Sequence, residues 1–311
     1  MAPLFIFVIR MAKSICIASR KSPPATTDKK EQNMQNINWY PGHMKKTREL
    51  IQENLKMVDA VIEVIDARIP VSSRNPIIDE LVKSKPRIIV LNKSDLADGN
   101  RSKAWEEKFK AEGNRVLSMN CMSGSGVKDL FKVLEKMNAE KNKDRVMQKP
   151  FRLMIVGVPN VGKSSLINRM TGKKSAQTGD RPGVTKGKQW LKLQNNMQLL
   201  DTPGILWPKF EDPKAGLNLA FCGSIKDEIL DVPTLGMELI GVLAENYPDL
   251  LQERYKLDEI AETPLENMEN MAMKRGCILP GKRIDYERIG KLVLDEFRSA
   301  KIGRITLEEA E

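Results

Sequence analysis

Histidine is almost missing from this chain: one in 311 residues, His43. Any mechanism that needs an imidazole must use it, and a centre built on several histidines is excluded. The four cysteines, Cys16, Cys121, Cys222 and Cys277, are widely scattered. No two have metal-ligand spacing and nothing suggests a disulfide framework, so a reducing compartment fits. Aromatic residues make up only 5%. The longest unbroken aliphatic or aromatic run is Leu4 to Ile9, far short of the roughly 18 residues of a membrane-spanning helix. No internal repeat at a solenoid period is visible. What is present is enough for a core: 41% hydrophobic residues against 30% charged ones, which excludes wholesale disorder.

The net charge of +10 is unevenly spread. Residues 1–33 carry +4, residues 34–205 carry +13 and residues 206–311 carry −7. Within the acidic C-terminal third, the window 271–304 reverses the sign, with nine basic residues against four acidic ones. A basic surface attracts phosphate backbones, but charge alone fits a solvated face as well. Residues 1–33 have no acidic residue before Asp28 and contain Pro23-Pro24 and several serines. They are expected to be a disordered leader with Met34 as the natural start, a mitochondrial transit segment being the alternative.

From residue 58 the pattern alternates between strands and helices. Strands are expected at Val58–Asp66, Arg87–Leu91, Arg115–Met119, Phe151–Val156, Gln189–Leu193 and Met197–Leu200. Helices are expected over residues 101–112, Val127–Met137 and Gly162–Met170. Short β-branched apolar runs alternating with amphipathic stretches imply a doubly wound, mostly parallel sheet. After about residue 212 the strand signals stop and helical patterns follow, as in Thr234–Ala244 and Tyr286–Arg298. The expected organisation is an α/β domain over 34–212 and an all-α domain over 213–311.

Gly157-Val158-Pro159-Asn160-Val161-Gly162-Lys163-Ser164 matches G-x-x-x-x-G-K-[ST] between an expected strand and helix. Glycines let the backbone wrap the β-phosphate, successive N–H groups point inward, and the helix N-terminus adds positive potential. Lys163 is expected on the β/γ-phosphates and Ser164 on Mg²⁺, with Asn160, Val161 and Ser165 completing the nucleotide contacts. Asp201-Thr202-Pro203-Gly204 ends a strand. Asp201 suits a water-mediated hold on Mg²⁺, and the Gly204 N–H suits the γ-phosphate. Thr185 lies between the two motifs on a loop rich in glycine and lysine, where it can complete the Mg²⁺ shell while GTP is bound. Asn92-Lys93-Ser94-Asp95 ends another strand, and a carboxylate at Asp95 can accept from both guanine N1–H and the 2-amino group. Asn120-Cys121-Met122-Ser123 follows the next strand, where a backbone N–H loop could read guanine O6.

The base-reading motifs precede the phosphate-binding ones. A parallel sheet tolerates this, because every strand delivers its loop to the same edge. The expectation is therefore a circularly permuted P-loop GTPase domain.

Together with Trp39-Tyr40-Pro41-Gly42-His43-Met44, Asp66-Ala67-Arg68-Ile69-Pro70, Pro182-Gly183-Val184-Thr185 and Lys274-Arg275-Gly276-Cys277, these motifs resemble the circularly permuted ribosome biogenesis GTPase A family (YlqF type). The resemblance covers about residues 34–311. It implies a GTP hydrolase that binds a late precursor of the large ribosomal subunit and its rRNA, and is activated by that particle. It implies Mg²⁺ as cofactor, and K⁺ stimulation through an asparagine at the Asn160 position. No DNA partner is implied. The location is cytoplasmic, or mitochondrial if residues 1–33 are a transit peptide.

Ile205 and Leu206 follow Gly204, and neither can orient an attacking water. In the family the histidine of the P-G-H-M motif is the proposed substitute, which here is His43. A capping or RNA-contacting histidine is the other reading. Asp66-Ala67-Arg68 fits either a structural ion pair or a nucleotide or partner role. Lys173, Lys174, Arg181, Lys186, Lys188 and Lys192 suggest an rRNA clamp around the switch, and Lys274, Arg275, Lys282 and Arg283 a second contact. The alternative function is a GTP-dependent RNA-binding placeholder with little hydrolysis. A membrane-linked or tRNA-modification GTPase is disfavoured, since there is no apolar span and no catalytic cysteine motif.

Overall fold

The computed structural model describes residues 49, 51–74, 76–82, 85–172, 189–201 and 212–310. Helical residues 51–57 (α1) lead into strand β1, Ala60–Asp66, all seven residues of which are buried. Helix α2 (Pro76–Val82), β2 (Arg87–Asn92), α3 (Gly99–Ala111), β3 (Arg115–Ser118) and α4 (Val127–Asn142) follow. After a linker come β4 (Phe151–Val156), α5 (Lys163–Thr171), β5 (Gln189–Lys192) and β6 (Met197–Asp201). The sheet order is β3-β2-β1-β4-β6-β5. Every pairing is parallel except that of the edge strand β5, which runs antiparallel to β6.

The chain lays down β1, β2 and β3 outward in one direction, then returns to place β4 on the other side of β1. The direction of winding thus reverses between β1 and β4. In an open parallel sheet that reversal leaves a crevice at the C-terminal strand edge, where ligands bind. Both loops expected to handle nucleotide, after β2 and after β4, emerge at this edge.

The central strands β1, β2 and β4 are buried on both faces, so they read as continuous apolar runs rather than alternations. One face packs on α1 and α2 through Ile51, Leu55, Ile78 and Val82. The opposite face belongs to a core that runs from Ile62, Val64, Ile88 and Leu153 into the C-terminal helices at Leu239, Leu243, Val293 and Phe297.

Those helices are α6 (Pro213–Phe221), α7 (Val232–Asn246), α8 (Pro248–Tyr255), α9 (Pro264–Arg275) and α10 (Tyr286–Arg298), with a short 3₁₀ turn at Asp227–Ile229. Their ends are well specified. Asp231 accepts from the Thr234 N–H at the start of α7. Thr263 and Glu266 form a reciprocal capping box on α9. The region is helical except for a hairpin of two two-residue strands, β7 (Ile278–Leu279) and β8 (Arg283–Ile284). The strand signals therefore do not stop entirely at residue 212; two-residue strands are too short to leave a periodic signature. After α10 the chain does not end in the helical region. Residues 302–310 run back across the sheet domain as an extended strap.

Helices α7 and α10 meet backbone to backbone. A Cβ on Gly236 would lie 2.6 Å from the Gly290 Cα, and one on Gly290 would lie 2.8 Å from the Val232 carbonyl oxygen. No flexible side chain is there to yield, so the helices must separate. Gly290→Ala should cost about 1–3 kcal/mol, the range for overpacking, read as a lower denaturant midpoint. An unchanged midpoint would show that the contact is not tight.

Candidate nucleotide site

The loop after β4 is shaped by two glycines in conformations other residues avoid. Gly157 has φ +149°, and a Cβ there would fall 2.3 Å from the Val64 carbonyl oxygen of β1. Gly162 has φ +104°, and a Cβ there would fall 2.2 Å from the Asn92 Nδ2. Gly162 also opens α5, so its following N–H groups face the loop. The half-buried Lys163 turns its ammonium back to donate to the Val158 carbonyl at 2.6 Å. Burial pushes this lysine down to about 8. A cation so enclosed, at a helix N-terminus among inward-facing amides, fits an anionic ligand. Ser164 is half-buried on the first turn of the same helix, the residue type and location suited to Mg²⁺.

Asn92 ends β2 and is buried. Its Nδ2 donates to the Val161 carbonyl at 2.6 Å, and its Oδ1 accepts from the Cys121 N–H at 2.9 Å. One side-chain amide thus ties the phosphate-type loop to the loop after β3. Lys93 adopts φ +60°, and its Nζ pairs at 2.9 Å with Asp66 Oδ2, on the neighbouring strand. Ser94 donates both its N–H and its hydroxyl to the Met119 carbonyl. Asp95, between these fixed points, is exposed.

The loop Asn120–Ser123 is an Asx-type turn: Asn120 Oδ1 accepts from the Met122 and Ser123 N–H groups. With the Cys121 N–H engaged by Asn92, reading a guanine O6 through this loop requires one of these bonds to exchange. Arg169 of α5 braces the loop through the Cys121 and Met122 carbonyls, and Ser165 Oγ contacts Met122 Sδ at 3.4 Å. Cys121 is buried and its thiol is pushed up to about 12 by burial, so it stays neutral and is no nucleophile.

Asn160 adopts φ +60° and donates through Nδ2 to the Gly223 carbonyl at 2.8 Å, linking the loop to the helical region. Its Oδ1 is the atom of that side chain suited to a cation. Beneath the site, Asp66 is fully buried and accepts from Arg68 Nε and Nη2 at 3.0 and 2.8 Å. Burial opposes its ionisation, but the charges of Arg68 and Lys93 win, so its carboxyl lies well below the usual carboxylate range. Arg68 stacks on Phe297 of α10. The Asp66-Ala67-Arg68 motif is thus an ion pair that also holds the lysine of the base-reading motif. The three-charge cluster could not be read from the sequence, because only the β1–β2 register brings Asp66 beside Asn92-Lys93.

Asp201 ends β6 at the same sheet edge. His43, Thr185 and Gly204, with Lys173, Lys174, Arg181, Lys186 and Lys188, lie outside the described residues, as do residues 1–33.

A glycine-shaped loop opening a helix after β4, the Asn92-Lys93-Ser94-Asp95 loop after β2 and a winding reversal between them fit a P-loop GTPase whose chain order is permuted. The family model described as "50S ribosome-binding GTPase" matches residues 152–267; it starts at β4 and leaves out β1–β3. Ribosome biogenesis GTPase A of Bacillus cereus is 47% identical over 279 residues, covering 88% of this chain and 94% of that protein. Mitochondrial ribosome-associated GTPase 1 of Mus musculus is 35% identical, covering 87% of this chain and 89% of that protein. The GDP-bound structure of TM YlqF matches with a TM-score of 0.62 at 30% identity, covering 84% of this chain and 98% of that one. GNP-bound YlqF from T. maritima matches with 0.58 at 31%, covering 86% and 99%. The chain belongs to the ribosome biogenesis GTPase A family, and its fold is that of YlqF.

The lowered Lys163 gives a pH test. Phosphates favour its charged form, so above about pH 8 nucleotide binding must take up a proton. GDP affinity should fall about tenfold between pH 7 and pH 9, and Lys163→Ala should lose this dependence along with most of the affinity. A flat profile in titration calorimetry would contradict the assignment.

Proposed function

We propose that this GTPase binds a late precursor of the large ribosomal subunit in its GTP state and hydrolyses GTP there. In this reading the phosphates lie on the loop Gly157–Ser165, with Asn160, Val161, Gly162 and Lys163 around them. The guanine lies on Asn92, Lys93, Ser94 and Asp95 beside Asn120 and Cys121. Ser164 and Thr185 hold Mg²⁺ directly, and Asp201 holds it through water. Mg²⁺ bound there offsets the charge on the β- and γ-phosphate oxygens. Gly204 donates to the γ-phosphate, and K⁺ takes Asn160 Oδ1. The carrying observation is that one buried amide, Asn92, joins the two loops that handle the two ends of a nucleotide.

The helical region from residue 213 is the rRNA-facing domain in this reading, together with the basic loop around Thr185. Two features support it: the positive window 271–304 in an otherwise acidic third, and the names of relatives, ribosome biogenesis GTPase A and mitochondrial ribosome-associated GTPase 1. With GTP bound, Thr185 and its loop are ordered by the γ-phosphate, so the basic charges are arranged only in that state. Residues 1–33 are a leader, and the protein works in the cytoplasm. Mitochondrial relatives keep a mitochondrial address as the second reading of that segment.

His43 acts in hydrolysis. Ile205 and Leu206 cannot orient water, so intrinsic turnover is slow and the only histidine is brought into line by the particle. His43→Ala should keep its GTP affinity and its co-sedimentation with large subunits, while particle-stimulated turnover falls about 10²-fold or more. Wild-type turnover on the particle would make His43 a structural or RNA contact. If wild-type protein itself shows no stimulation by large subunits, the placeholder reading stands instead.

A further inference from the structure

The strap formed by residues 302–310 is heavily bonded, and several of its contacts meet the loop after β2. Arg304 donates from Nη2 to the Ser94 carbonyl at 2.8 Å and from Nε to the Ala97 carbonyl at 2.9 Å. The Ile305 N–H donates to the Leu96 carbonyl at 3.1 Å. Three main-chain carbonyls on either side of Asp95 are therefore held by two adjacent residues more than two hundred positions later in the chain. Thr306 Oγ1 accepts from the Asp98 N–H at 3.1 Å and donates to the Ala67 carbonyl at 3.2 Å. The Leu307 N–H donates to the Arg68 carbonyl at 2.8 Å. The strap thus reaches the loop that ends in Asp95 and the strand end that carries the Lys93 counter-ion.

The strap is itself firmly fixed. Ile302, Ile305, Thr306 and Leu307 are buried. Gly303, at φ +153°, allows the chain to turn close to Leu250, where a Cβ would meet the Leu250 Cδ1 at 2.7 Å. Tyr247, between α7 and α8, donates its hydroxyl to the Thr306 carbonyl and accepts from the Thr306 N–H. The Glu308 carboxylate accepts from the Val71 and Ser72 N–H groups and from Asn218 of α6.

Asp95 must place two carboxylate oxygens against two adjacent N–H groups of guanine, a geometry that weakens as either distance leaves about 2.7–3.2 Å or the angles bend. Within the loop a turn bond runs from the Leu96 N–H to the Lys93 carbonyl, and the strap adds the bonds at Ser94, Leu96 and Ala97. We infer that the C-terminal strap is a specificity-positioning element for guanine, with Arg304 the positioning residue that fixes the main chain around Asp95. The inference rests on the reading of Asp95 as the guanine acceptor. Arg304 does not touch the base; it sets the aim of the residue that does.

Inosine diphosphate lacks the 2-amino group, so the GDP-to-IDP affinity ratio isolates the two-pronged contact from phosphate binding. In Arg304→Ala this ratio should fall about tenfold, with IDP affinity changed less than about threefold. Amide exchange over residues 92–98 should speed up while that over 157–163 stays as in the wild type. Arg304→Lys, which supplies one donor point instead of two, should recover part of the ratio. A merely structural arginine would lower the melting temperature and leave the ratio and the local exchange alone; that result overturns the inference. Asp95→Asn separates the two levels. If it collapses the ratio and Arg304→Ala does not, only the strap inference fails; if it leaves the ratio unchanged, the guanine reading of Asp95 fails with it.

Discussion

The side-chain amide of Asn92 makes two bonds at once, donating from its nitrogen and accepting at its oxygen. It donates to the Val161 carbonyl and accepts from the Cys121 N–H, in one plane and out of water. Aspartate at that position would lose the donor, and alanine would leave a buried N–H and a buried carbonyl unpaired. The glycine at 162 follows from the same contact, since any side chain there would occupy the space of the Asn92 nitrogen. The shape of the phosphate-type loop and the location of the loop after β3 thus both depend on the last residue of β2. This is what lets a permuted chain work: the three loops need to share a sheet edge, not a chain order.

Beneath this contact lies the charge cluster of Asp66, Arg68 and Lys93. Buried ion pairs offset much of their attraction by desolvation, so the cluster is better understood as fixing orientation than as adding stability. It anchors Lys93 at its unusual φ, and it extends through Arg68 to Phe297 and to the strap at Leu307. Asn160 makes a second link to the helical region through Gly223. The C-terminal strand edge and the C-terminal helices are therefore joined at two places, one link at the loop after β4 and the other at the end of β1.

Much of the sheet was legible because buried parallel strands are short, β-branched and apolar throughout. Phe151–Val156 has the expected bounds, and Arg87–Leu91 extends by one residue to Asn92. The helix expected over Val127–Met137 runs on to Asn142, because its last polar turn carries no apolar periodicity. The loops after β2 and β4 were legible from motif chemistry. Their mutual wiring was not: Asn92 to Val161, Lys93 to Asp66 and Arg304 to Ser94 are contacts between residues distant in sequence that only strand register and tail packing bring together. The strap gave no signal, since the buried residues of Ile302–Leu307 alternate with Gly303 and Arg304 and resemble any polar-ended terminus.

The claim that one amide assembles the nucleotide site is tested most directly by Asn92→Ala, with binding of GDP and of pyrophosphate measured side by side. Losing the staple should weaken GDP by about 10²-fold or more, through loops that no longer share a fixed geometry. It should weaken pyrophosphate as well, although Asn92 lies outside the loop that cradles it. A folded variant that binds both ligands as the wild type does would contradict the claim, and the two loops would then be held by the sheet alone.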